Sequence, residues 1–185
     1  MNGFEKFELA VAVNETDHIL GGAHAPATLV EYGDFECPNC KQAAPAVRLM
    51  LAHFKERLRF VFRHFPLEEA HPHALLAAQA AEAAGAQGKF WEMHDLLYEN
   101  QDALDDEDLV RYAKALRLDV PRFVKEMEAH TYAERVREDF SSGVRSGVNG
   151  TPTFFINGAR HDGPFDLRSM AAAIQKAVLA GQSDE

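Results

Sequence analysis

Cys37 and Cys40 are the only cysteines in this 185-residue chain, so no framework of disulfides of the kind that staples small secreted domains is available. A chain of this length buries enough apolar surface to do without one. Basic residues are also scarce. With 19 Lys and Arg against 29 Asp and Glu, the net charge is −10, which argues against a nucleic-acid partner, because binding phosphates needs a concentrated basic face. No apolar run approaches the ~18 residues that span a bilayer, and no membrane partner is expected. The opening stretch MNGFEKFELAVAVNETD holds Glu5 and Glu8 and only a short apolar run, Leu9 to Val13. It does not read as a secretory signal, and the expected location is cytoplasmic. Repeats and low-complexity tracts are absent too. The alanine-rich stretch from Ala74 to Ala86 is what a strong helix former looks like.

What is present is an ordered succession of periods. ATLVEYGDF, residues 27–35, is β-branched and aromatic and predicts a buried strand at about 28–32. Ala43, Val47, Met50, Leu51 and Phe54 then fall at helical spacing. RFVFRHF, residues 59–65, is a second strand closed by Pro66, which completes a βαβ unit. From about Pro72 to Gly147 every period is helical, with starts at Asp105 or Asp106 and at Asp119, a break at Gly85 and Gly88, and four or five helices in all. Thr153 to Ile156 is a strand, Asn157-Gly158 a tight hairpin turn and Ala159 to His161 the returning strand. Asp166 can cap a last amphipathic helix carrying Leu167, Met170, Ala171, Ile174 and Val178. The expected order is β, α, β, a helical block, β, β, α.

Both cysteines lie in DFECPNCKQAAP, residues 34–45, which places Cys37 at a helix start with Pro38 in the first helical position. Unpaired N–H groups and the positive end of the helix dipole favour a thiolate there. Cys40, one turn further in, is near enough to close a disulfide and to be shielded behind Cys37. Attack therefore falls to Cys37 and resolution to Cys40. If the Cys37 pKa drops from about 8.5 to about 6, the thiolate fraction at pH 7 rises roughly 30-fold while intrinsic nucleophilicity falls roughly 13-fold. Attack then gains only about twofold, and the shift acts mainly on redox poise, by about 30 mV.

These residues resemble a known family. Cys37-Pro38-Asn39-Cys40 at a helix start and Thr151-Pro152 before a strand are similar to the two signatures of the thioredoxin superfamily. The helical block between them resembles the DsbA type, and TLVEYGDFECPNC with GTPTFFING resembles the cytoplasmic DsbA-like domains of bacteria, some of them fused to sodium/proton antiporters. The resemblance covers about residues 16–180. It implies an α/β thioredoxin fold, a mixed central sheet with flanking helices, and an all-helical insertion between its two halves. The expected parts are 16–70 with 147–181 as the thioredoxin domain, 71–146 as the insertion and 1–15 as an N-terminal extension.

The resemblance also implies roles. Pro152 matches the family's cis-proline, which packs against the disulfide and presents the backbone of the preceding residue, here Thr151, to a substrate chain. Glu31, six residues before Cys37, matches a buried acid that exchanges a proton with the inner cysteine. Pro45 matches a helix-kinking proline. Position 39 departs from DsbA: Asn39 stands where that group has histidine, so thiolate stabilisation should be weaker. Glu36, beside Cys37, should raise the thiol pKa if its carboxylate lies close.

The expected activity is thiol–disulfide exchange by a protein disulfide oxidoreductase acting on protein or small-molecule thiols, with a separate redox-recycling partner. No cofactor is needed, because the dithiol carries the electrons. Two alternatives stay open, a kappa-type glutathione transferase or isomerase relative and a metal-binding or interaction module. A zinc site would need more ligands than the cysteines, and His64, His71 and His73 are the candidates to supply them. Glu31, in an apolar strand, either reaches solvent through a slip of register or is buried with a raised pKa and shuttles protons. The stripe Phe90, Trp91, Met93, His94 and Leu97 reads as helix packing, and Asp102 to Asp108 as a solvated helix start.

Overall fold

The structure is a computed structural model, which describes residues 7–181. Two strands, β1 (His18–Gly21) and β2 (Ala27–Gly33), lead into helix α1 (Pro38–Phe54), and β3 (Leu58–His64) follows after a short 3₁₀ turn. Five helices come next: α2 (Ala74–Gly85), α3 (Phe90–Glu99), α4 (Asp106–Ala115), α5 (Val120–Glu128) and α6 (Ala133–Arg145). The hairpin β4 (Thr153–Ile156) and β5 (Ala159–His161) and the helix α7 (Leu167–Gly181) complete the chain. The sheet order is β1-β3-β2-β4-β5. Only β2 and β3 run parallel, so the sheet is mixed.

The expected order holds with one addition. β1 pairs antiparallel with β3, from His18 opposite Phe62 to Gly21 opposite Arg59. It is four residues long and half-exposed, too short to show a period in the sequence. Of the expected extension, positions 1–6 lie outside the described residues, and the segment after them lies against the fold. Leu9 N donates to Gly158 O at 2.8 Å and Arg160 N to Phe7 O at 3.0 Å, beside β5. Arg63, fully buried, donates to Val11 O and Ala12 O and binds both carboxylate oxygens of Asp17 at 2.8 Å.

Alternation along the central strands sorts the core into two layers. Leu29, Phe60, Phe62 and Phe154 face a layer built from α1, α7 and the helical block, while Val30, Tyr32, Val61 and Phe155 face a smaller one with Phe65 and Phe140. With both faces covered, β2 and β3 read as nearly continuous apolar runs. Each buried phenylalanine contributes on the order of 1.5–3 kcal/mol. Glu31 shares its face with Leu29, so it points toward α1 and the helical block, not to solvent, and is buried. α1 buries Cys40, Ala43, Ala44, Val47, Met50 and Phe54 along one stripe, with Pro45 inside the helix. Asp105, Asp119 and Asp166 cap their helices, and Asn157 and Gly158 both have positive φ, as a tight hairpin turn requires. Among the described residues, no helix is long and apolar enough to cross a membrane.

Candidate active site

The strand β2 ends at Gly33, and the next four residues are held from several sides. Asp34, itself buried, accepts from Glu36 N at 2.8 Å, from Leu67 N at 2.9 Å and from His71 Nδ1 at 2.7 Å. Its carboxylate thus ties the turn before α1 to the segment after β3. Phe35 stacks on Phe62 with centroids 5.1 Å apart. Gln101, beyond the end of α3, donates to Phe35 O at 2.7 Å and Cys37 O at 2.9 Å. The result places Cys37 at the N-cap of α1, in extended conformation, with Pro38 opening the helix as the sequence predicts.

Cys37 and Cys40 are both free thiols. Cys37 Sγ donates to Thr151 O at 3.3 Å, and the Thr151–Pro152 peptide bond is cis. Residues 114 positions apart in sequence thus meet at one sulfur. The two thiols are driven apart in acidity. The Cys40 thiol donating to the Cys37 sulfur is the largest influence, and against the opposition of burial it brings Cys37 down to about 5, helped by Thr151 and by the N–H groups of Cys40 and Asn39. Thr151 Oγ1 is buried with no hydrogen-bond partner among the described residues, and a hydrogen bond from it favours the ionised sulfur. Burial, together with the hydrogen bond to Cys37 and the charges of Glu31 and Cys37, pushes Cys40 well above its usual value. Glu31 is raised to about 8 by burial and by the Cys37 charge.

The lowering runs in the direction supposed for a helix start, and its largest cause is the resolving thiol acting as a donor. The expectation for Glu36 is corrected. Its carboxylate accepts from His73 N at 2.6 Å and His73 Nδ1 at 2.9 Å, and the Cys37 thiol is lowered, not raised. His71, considered above as a zinc ligand, instead pairs with Asp34 beside the cysteine turn. Burial disfavours its cation, but the Asp34 carboxylate outweighs that, and Cys37 and Glu36 add to a raised pKa. The segment after β3 thus brings a ring whose protonated form is favoured by Asp34 into the field of Cys37, although position 39 holds only an amide.

The three histidines considered as zinc ligands are dispersed: His71 binds Asp34, His73 binds Glu36 and His64 Nε2 lies 2.8 Å from Glu82 Oε1. Among the described residues, the cluster with metal-ligand spacing is His18, His64 and Glu82, whose ligand atoms lie within 4.8 Å of one another. It contains neither cysteine. Glu82 Oε1 accepts from His18 Nε2 and His64 Nε2, both at 2.8 Å, which gives the buried carboxylate two hydrogen-bond partners.

Residues 13–176 match the family model described as Thioredoxin. The Na(+)/H(+) antiporter NhaA 3 of Salinispora tropica is 49% identical over 176 residues, a match that takes in 95% of this chain and 27% of the antiporter. The chain thus spans about a quarter of the length of that relative. A thioredoxin-like oxidoreductase from Silicibacter pomeroyi superposes with a TM-score of 0.78 at 26% identity, over 92% of this chain and 94% of that one. The alpha-DsbA1 of Wolbachia pipientis superposes with a TM-score of 0.80 at 20% identity, over 93% and 96%, and shares the fold with its helical insertion.

Proposed function

The chain belongs to the thioredoxin family, and on that footing we propose that it is a thiol–disulfide oxidoreductase acting on protein or small-molecule substrates. The observation that carries this reading is the asymmetry in acidity of two buried thiols: a lowered Cys37 at a helix N-terminus and a raised Cys40 one turn behind it. A group that attacks must be anionic at working pH, and a group that resolves must be held back until the mixed disulfide exists.

In the reductive direction, the Cys37 thiolate attacks one sulfur of a substrate disulfide. A Cys37–substrate bond forms, the substrate S–S bond breaks, and the departing thiolate takes a proton from solvent. Cys40 gives its proton to Glu31 and attacks Cys37 Sγ. The second substrate thiolate leaves, the substrate has gained two electrons, and the protein holds a Cys37–Cys40 disulfide. Run backward, the same steps oxidise a dithiol. Thr151, with its carbonyl beside Cys37, supplies the backbone edge against which an extended substrate lies, and Pro152 closes that side of the sulfur pair. A separate partner restores the starting redox state.

Equilibration against defined ratios of reduced and oxidised glutathione tests the reading. The wild-type protein should cycle by two electrons, Cys40→Ser should accumulate glutathione on Cys37, and Cys37→Ser should do neither. Two thiols that persist in a large excess of oxidised glutathione would rule the activity out.

A further inference from the structure

Resolution requires Cys40 to lose a proton in a site with almost no solvent, and Glu31 begins with a proton of its own. While Cys37 is an anion, burial and that charge keep the Glu31 carboxyl protonated at neutral pH. Attack on a substrate removes the anion, and one of the two causes of the raised pKa goes with it. Glu31 must then discard its proton before it can accept the one on Cys40. Apart from the two cysteines, buried polar side chains of α3 lie in the same interior.

Glu31 Oε1, His94 Nε2 and Tyr98 Oη are buried with no hydrogen-bond partner among the described residues. Glu31 and His94, 2% and 7% exposed, line one cavity of about 60 Å³ together with Arg48 and Asp95. Its other walls are apolar, with Phe60 and Trp91 among them. A space of that size with two unsatisfied polar groups admits water. The outer end is marked by Arg48 and Asp95, 3.5 Å apart and each about half-exposed. Asp95 Oδ1 accepts from His94 Nδ1 at 3.0 Å, which leaves Nε2 as the basic nitrogen of a ring that lines the cavity. Burial lowers the His94 pKa, with Arg48 and His64 contributing and Asp95 opposing, so the ring is neutral and can accept a proton. The other titratable groups facing Glu31 are Cys37 at the N-cap of α1, Cys40 within it and Tyr98 from α3, and the charge of Glu31 contributes to raising both Cys40 and Tyr98.

We propose that His94, oriented by Asp95, carries protons between Glu31 and solvent through the water-sized cavity they share. Glu31 passes its proton by way of cavity water to His94 Nε2, and the imidazolium, paired with Asp95, releases a proton to bulk water at the Arg48–Asp95 opening. The carboxylate left behind takes the proton of Cys40, and the same route then clears it. His94 touches neither sulfur nor substrate and is a relay, not a catalytic residue. The inference rests on the proposed exchange reaction and adds the path by which its protons leave.

The test follows the Cys40 step alone. A mixed disulfide of Cys37 with thionitrobenzoate is prepared on the full chain, and release of the coloured thiolate is followed by stopped flow from pH 5 to 9 in H₂O and D₂O. That leaving group needs no proton, so the rate reports deprotonation and attack of Cys40. His94→Gln should slow release about 10-fold or more at pH 7, in line with the loss of one acid–base group, and move the rate profile to higher pH. Glu31→Gln should slow it as well, and the double variant should be no slower than Glu31→Gln. Asp95→Asn, at the surface, should give a smaller loss in the same direction and carries the test if His94→Gln does not fold. The Cys37 titration should stay unchanged in both α3 variants, which a merely structural effect would not spare. If His94→Gln and Asp95→Asn release at the wild-type rate and profile while Glu31→Gln is slow, the relay is wrong and the exchange reading stands. If the wild-type mixed disulfide never releases its thiolate, the exchange reading fails and takes the relay with it.

Discussion

Replacing Cys40 by alanine isolates the largest influence on the nucleophile. With Cys37 near 5, about 99% of it is thiolate at pH 7, against about 1% for a thiol of pKa 9. The part of the shift that lies below pH 7 makes the disulfide more oxidising by about 60 mV, or two decades at ~30 mV each. The full effect, about 120 mV, is present above the unperturbed value of 9.0 and disappears as pH falls through 5. Cys40 is the first cause of the shift, and a hydrogen bond to a charged group contributes about 1.5–3 kcal/mol. Its removal should raise Cys37 by roughly one to two units, to a midpoint of about 6 to 7. Thiolate absorbance near 240 nm, titrated from pH 3 to 9, gives the midpoint directly, and the pH dependence of iodoacetamide alkylation gives it independently. Cys40→Ser keeps a hydroxyl donor and should move less. A midpoint that stays near 5 in Cys40→Ala would refute the assignment and return the acidity to the helix start and to Thr151.

Three further outcomes concern stability. Burial opposes ionisation of Glu82, yet the hydrogen bonds from His18 and His64 hold its pKa well below the usual carboxylate range. Its contribution is present above the ordinary value of 4.5 and lost as pH falls below it, so urea midpoints should drop from about pH 5 downward, and less steeply in Glu82→Gln. Asp17→Asn leaves Arg63 buried with half its ion pair gone, and should cost about 3–5 kcal/mol in urea unfolding. Gly143 in α6 lies where a Cβ would stand 2.7 Å from the Phe65 ring and 3.0 Å from Tyr32. Gly143→Ala should therefore lower stability by about 1–3 kcal/mol through forced repacking, measurable by thermal melting.

The parts of this molecule that announce themselves in sequence depend on short-range patterns. β2 and β3 show as apolar runs because both faces are covered, α1 through its stripe of buried side chains, and the hairpin through Asn157-Gly158. Cys37 and Pro38 mark their own helix start. What stays hidden depends on partners distant in sequence. β1 exists because β3 lies 40 residues on, from His18 opposite Phe62 to Gly21 opposite Arg59. The pairing of Asp34 with His71 spans 37 positions and that of His18 with Glu82 spans 64, and no periodicity records such a meeting. Glu31 is legible as a carboxylate in an apolar strand, but the depth that gives it a raised pKa follows from how α1 and α3 cover it. His94 falls on a helical stripe and reads as packing. Its unpaired nitrogen and its place on a cavity wall become visible only in three dimensions.

The carboxamide of Gln101 has a mechanical meaning. It reaches from the end of α3 to two carbonyls, and one of them, on Cys37, also receives the first N–H bond of α1 from Lys41. A shift of α3 against α1 would act through that amide on the carbonyl of Cys37 itself.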